Sequence, residues 1–205
     1  MRRILLVVLT VAVTVGLAGA PASAQTKVRK DKIGDAPANV DIRSAKVQNN
    51  ASKLAVTVRF QKVQKRRTSL AVSFLPGSLD ELTDSDSTLT FYSLSSEPVS
   101  GGRYSARLVR ISFDGSQSLD DLDEQRVRCP GLSARWKRGT RGFARVVVPQ
   151  SCLGADAGRQ VMAVTSFDKK AIASGLAVRQ SLRGDLSDDE IPIDFIDSPI
   201  STRRG

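Results

Sequence analysis

The residues through which this chain could do chemistry fall into three sets: a pair of cysteines, loops of clustered carboxylates, and runs of arginine and lysine. Cys129 and Cys152 are its only cysteines, and its 205 residues include no histidine. Without histidine, Ser-His-Asp and Cys-His catalysis and every His-ligated metal site are excluded. Two cysteines are also too few for a Cys₄ zinc site. An enzyme would need a carboxylate pair or a Ser-Lys arrangement, and nothing selects such a pair from the 21 acidic residues. The chain therefore reads as non-enzymatic, with no catalytic residue to name.

The carboxylates gather at Asp31, Asp35 and Asp41, at Asp84 and Asp86, at Asp114, Asp120, Asp121 and Asp123, and at Asp185, Asp188 and Asp189. Calcium takes roughly six to eight oxygen ligands and tolerates loop geometry. Asp114, Asp120, Asp121 and Asp123 form the densest candidate for a structural calcium ion, and Asp31, Asp35 and Asp41 a second. Neither has EF-hand spacing, and solvated loop carboxylates are the plainer reading.

Basic residues outnumber acidic ones by 31 to 21. They group at 27–32, at Lys62, Lys65, Arg66 and Arg67, at Arg103, Arg107 and Arg110, and at Arg135, Lys137, Arg138, Arg141 and Arg145. The last group surrounds Trp136 and Phe143, so Trp136, Arg138, Phe143 and Arg145 are the candidate ligand-binding residues. A cationic ridge with an aromatic can hold a polyanion or anionic glycan. Arginines that solubilise strand faces and guard sheet edges would look the same. Trp136 also shares a predicted face with Leu132, Ala134 and Val147, which favours core packing for its ring.

These residues sit in a chain that reads as exported. Arg2 and Arg3 precede an apolar run, Ile4 to Leu17, and Pro21-Ala22-Ser23-Ala24 offers small residues for a signal peptidase. The expectation is a secretory signal over 1–24, cleaved between Ala24 and Gln25. The run is shorter than the roughly 20 residues of a spanning helix. The arginine pair is compatible with the twin-arginine route, but the hydrophobic core favours the general one. Export makes wall polymers or anionic headgroups better partners than nucleic acid, and makes a disulfide the expected state of the cysteines.

Alternating apolar residues then predict strands. Leu54, Val56, Val58 and Phe60 alternate with Ala55, Thr57 and Arg59, the period of a strand buried on one face. With Val40 to Val47 and the Asn49-Asn50-Ala51-Ser52 turn, residues 40–60 read as a hairpin. Further runs are Leu70–Phe74, Thr88–Leu94, Tyr104–Phe113, Ala134–Trp136, Phe143–Val148 and Val161–Phe167. About eight short strands, with one short helix starting at Ser78-Leu79-Asp80-Glu81, predict an all-β antiparallel sandwich. In an antiparallel hairpin, paired residue numbers share a constant sum, and Cys129 and Cys152 share that of Gly139 and Gly142, which flank a Thr140-Arg141 turn. This register sets the cysteines opposite each other at the hairpin base, and pairs Trp136 with Arg145, Ala134 with Val147 and Leu132 with Pro149.

The stretch Gly34-Asp35-Ala36-Pro37, Val40-Asp41-Ile42 and Lys53-Leu54-Ala55-Val56-Thr57-Val58-Arg59-Phe60 resembles the opening of secreted β-sandwich domains of the DOMON and family-9 carbohydrate-binding type. The segment Val148-Pro149-Gln150-Ser151-Cys152-Leu153-Gly154, with Cys129, is similar to uncharacterised exported proteins of high-GC Gram-positive bacteria. The resemblance covers residues 31–75. It implies a jelly-roll-like sandwich, a ligand groove on one sheet, a structural calcium near the start, and sugar or haem as ligands. The chain departs from it in lacking histidine, in having Met162 as its only methionine beyond the initiator, and in having only 10 aromatic residues.

The expected organisation is a signal over 1–24, an N-terminal segment over 25–39, the sandwich over 40–183, and an edge segment or tail over 184–205. The expected function is a secreted binding module for cell-surface glycan or anionic wall polymer. The alternative is a secreted interaction protein with a protein partner and no glycan site.

Overall fold

The computed structural model describes residues 25–76, 89–113, 123–154, 159–169, 193–196 and 200–203. The signal segment, the predicted helix start at Ser78, and Asp84, Asp86, Asp114, Asp120, Asp121, Asp185, Asp188 and Asp189 lie outside them.

Why the chain turns at Asn50 is visible in one side chain. Its Oδ1 accepts from Ser52 N at 3.0 Å, from Lys53 N at 2.9 Å and from the Ser52 hydroxyl. This local capture of backbone donors is what favours Asn in turns. The turn joins β2 (Ile42–Asn49) to β3 (Lys53–Phe60). Alternation then sends Ala45, Val47, Leu54, Val56 and Val58 into the core, while Ser44, Lys46, Gln48, Thr57 and Arg59 face outward. β1 (Gln25–Lys30) extends this hairpin at one edge; on the other side β3 pairs with β11 (Phe143–Pro149), and β11 with β9 (Ser133–Lys137). The resulting sheet has the order β1-β2-β3-β11-β9.

The second sheet is built from β5 (Thr68–Pro76), β6 (Leu89–Pro98), β7 (Tyr104–Phe113), β8 (Asp123–Arg126), β12 (Arg159–Asp168) and β13 (Ile193–Phe195), in the order β13-β12-β5-β6-β7-β8. β14 (Ile200–Arg203) also pairs with β12. Two short strands, β4 (Lys62–Val63) and β10 (Gly139–Thr140), pair separately. All these ladders are antiparallel, and the fold is an all-β sandwich. Its interior is closed by Phe60, Leu54, Val56 and Val146 from the first sheet and by Leu70, Phe74, Leu94, Leu108 and Met162 from the second. Among the described residues no helix is long and apolar enough to cross a membrane.

The strands reach beyond 40–183 at both ends. β1 lies in the segment placed ahead of the domain, and β13 and β14 supply an edge from the last 22 residues. Two buried polar clusters tie segments of the two sheets together, the first of them holding β14. Gln150 donates to Asn49 Oδ1 at 2.6 Å, and Asn49 donates to Thr202 at 3.3 Å, joining three strand ends in the interior. Asp168, 1% exposed, accepts from Arg67 Nε at 2.6 Å and from Asn39 at 3.1 Å. Most of the polar atoms in these clusters find directed partners, as burial of polar groups favours, while Gln150 Oε1 is buried without one.

Candidate functional site

The cysteines are bonded, with Cα atoms 5.5 Å apart. The hairpin that carries them is one residue out of the expected register: Phe143 pairs with Lys137, Ala144 with Trp136, Arg145 with Arg135 and Val146 with Ala134. The reason lies in the turn. Gly139 and Thr140 pair with Val63 and Lys62 instead of with their own hairpin. Arg141 N donates to Gln61 O at 2.8 Å, and the Gly142 carbonyl accepts from Phe60 N at 3.0 Å. The loop backbone bonds across to the end of β3, so the hairpin closes earlier, at Lys137 and Phe143. Gly142 is required here: a Cβ would sit 2.5 Å from the Lys137 carbonyl and 2.7 Å from Val63.

A one-residue slip moves side chains to the other face, and it separates the four candidate ligand residues. Trp136 turns inward with Ala134, Ala144 and Val146 and packs on the core. Its ring stacks on Tyr104 at 4.2 Å and on Phe60 at 5.8 Å, and its Nε1 donates to Ser96 at 2.9 Å. Trp136 is thus engaged within the protein, as the core reading expected. Arg138, past the strand end, contributes positive charge at Tyr104, whose pKa burial raises and Arg138 lowers. Phe143 and Arg145 face outward together, on the side opposite Trp136, and Val147 goes with them.

That outward face is where charge collects. Its first cross-strand row reads Lys30, Ser44, Arg59, Phe143, Lys137; the second reads Val28, Lys46, Thr57, Arg145, Arg135. The third row, Thr26, Gln48, Ala55, Val147 and Ser133, is uncharged, and Lys53 lies beyond it opposite Pro149. At a strand spacing of about 4.8 Å, five strands span about 19 Å, with rows about 7 Å apart. This face therefore carries seven cations (Lys30, Lys46, Lys53, Arg59, Arg135, Lys137 and Arg145) and no carboxylate among its paired residues. Arg145 stands directly opposite Arg135, a like-charge pairing that weakens a sheet. The ion pairs among the described residues, Arg67–Asp168 and Lys169–Glu97, involve none of these cations. Lys46 and Arg59 were not among the grouped basic residues because they are isolated in the sequence; only the hairpin register brings them beside Arg145. Alternation along Lys53–Phe60 already placed Arg59 opposite the apolar positions, and that was the available signal.

The N-terminal carboxylates do not converge. Among the described residues no three acidic or cysteine side chains form a group able to hold a metal ion. Asp35 and Asp123 are exposed, and Asp41 is fully buried. Asp41 Oδ2 accepts from Gly34 N at 2.7 Å, closing the 34–41 loop, while its Oδ1 is buried without a hydrogen-bond partner. Asp31, Asp35 and Asp41, the second candidate set for calcium, are therefore not brought into one group here: Asp41 is turned into its own loop.

Burial raises the Asp41 pKa above the ordinary aspartate value; the Gly34 N–H opposes the shift, Asp35 adds to it and Arg43 opposes it. A carboxyl with a higher pKa folded than unfolded binds more protons in the fold. Its contribution is therefore full at low pH and is lost as pH rises from the unfolded value, about 3.9, through the folded one. The stability of the natural protein relative to Asp41→Asn is expected to fall as pH rises from about 4 through the raised folded-state value. Paired melts across that range check this, and a constant difference would refute it.

Comparison with protein-family models, curated proteins and solved structures finds no match for this chain.

Proposed function

We propose that this protein is an exported, non-catalytic binding module that holds an anionic wall polymer or comparable cell-surface polyanion on the outer face of its five-stranded sheet. The observation that carries the reading is the row pattern of seven cations, with no carboxylate among the paired residues, on one face of the sheet. Such a surface focuses positive potential toward a chain of phosphates or carboxylates. Phe143, in register between Arg59 and Lys137, offers an apolar contact between two cations of the first row. Export is supported by the N-terminal signal pattern and by the disulfide, which persists in oxidising compartments. The alternative, a protein partner, is favoured by Val28, a 57%-exposed apolar side chain on the same face.

The test is retention of the protein on wall material with and without its anionic polymers, across a salt series. Each contact with a flexible polyanion contributes a logarithmic salt slope of about 0.7, so a polymer meeting all seven cations should lose on the order of a thousandfold in affinity between about 50 and about 200 mM salt. Replacing Arg135 and Arg145 by Gln should lower the slope by about 1.4 with the fold retained. Equal retention on stripped wall material would reject the anionic polymer, and no retention at any salt would point to a protein partner.

A further inference from the structure

Where the first row of the basic face ends, the surface dips into a cleft of about 420 Å³ lined by Lys30, Asp31, Ile33, Arg43, Ser44, Arg59, Phe60 and Arg141. We infer that this cleft is a binding site for a tetrahedral oxyanion, a phosphoryl or sulfuryl group carried on a sugar-sized moiety. Four of its side chains are cations against one carboxylate, and three of those cations are guanidinium groups. Guanidinium forks match the paired oxygens of a phosphate or sulfate, and they donate without accepting. With the Ser44 hydroxyl beside them, the site presents chiefly donors, which suits a ligand made of acceptors. Neutral sugars, which need acceptors as well, fit it poorly.

Two backbone features place the arginines there. The β2–β3 ladder slips register between Ile42 and Ser44, so Arg43 occupies a bulge, and bulges re-aim side chains at functional sites. Arg141 has φ +55°, the one non-glycine residue with positive φ among the described residues. That conformation is unfavourable for arginine and would suit glycine, so its side chain is retained at the backbone's expense. Lys30, Ser44 and Arg59 belong to both the cleft and the outer face. A polymer lying on the face would therefore place a substituent or its end in the cleft, and in this respect the inference rests on the function proposed above.

The test uses inorganic phosphate and inorganic sulfate titrated into the protein at constant ionic strength, with chloride as the reference, followed by calorimetry. Saturable phosphate binding is expected. Arg141→Gly removes a guanidinium while relieving its backbone, so it should fold at least as stably and bind phosphate about tenfold more weakly. Arg43→Gln should lose a similar factor, whereas Arg107→Gln and Arg110→Gln, exposed on β7 of the other sheet, should bind phosphate like the natural protein. Equal sulfate affinity would assign the site to tetrahedral oxyanions in general, and weaker sulfate to phosphoryl groups; either sustains it. Phosphate indistinguishable from chloride, or unchanged in both cleft variants, overturns it. Polymer retention without phosphate binding leaves the basic face standing and removes the cleft; phosphate binding without polymer retention does the reverse.

Discussion

Phe60→Ala is expected to destabilise the fold by about 3–5 kcal/mol, the cost of emptying a well-packed aromatic site. Phe60 is fully buried at the end of β3, where its ring stacks on Trp136 and its N–H holds the Gly142 carbonyl. Truncation removes the ring from a site bounded by β3, β9 and the loop after β9, none of which can close the gap without breaking the backbone bonds that join them. For a chain of this size the loss corresponds to about 6–20 °C in melting temperature. Chemical denaturation measures it, with Phe60→Leu as the control that keeps most of the apolar volume. A cost below about 1.5 kcal/mol would show that the region repacks, contrary to the packing described.

Removing the disulfide by the paired change Cys129→Ala and Cys152→Ala is expected to cost roughly 3 kcal/mol, chiefly by freeing the unfolded chain. The bond closes the hairpin of β9 and β11 across a separation of 23 residues. Among the described residues β9 pairs with β11 alone, through five residue pairs, so it should fray early. Backbone amides of β9 should lose hydrogen-exchange protection more than those of β3, which is flanked on both sides. Because Arg135 and Lys137 ride on β9, polyanion affinity should fall along with stability. Identical unfolding midpoints with and without the bond would refute this account.

Much of the architecture was legible because its causes are local. The alternation from Leu54 to Phe60 and the turn chemistry of Asn50 both operate within a few residues, and the β2–β3 hairpin follows from them. The register of the second hairpin was not legible. It depends on Gln61, Lys62 and Val63, which are distant in sequence and bind the turn backbone. That single displacement decides the candidate site: it turns Trp136 inward and leaves Arg145 outside with Arg135. The disulfide was still foreseeable, because its position at the hairpin base tolerates a shift of one residue. The edge strand Gln25–Lys30 carries no apolar alternation, being exposed on most of its length, so its pairing came only with the structure.

The five-stranded sheet joins two parts of the chain that are made at different times. Its central ladder pairs residues 53–59 with residues 143–149, whereas each flanking hairpin is local. Pairings this distant pay a large loop-closure entropy before they gain contacts, which slows folding. During synthesis the β2–β3 hairpin must therefore wait, with one edge of β3 unpaired, until the chain has grown past Pro149. An open edge is a template for association with other chains. The cysteine bond lies wholly within the late hairpin, so oxidation can proceed before the two halves dock and can deliver β11 already braced against β9.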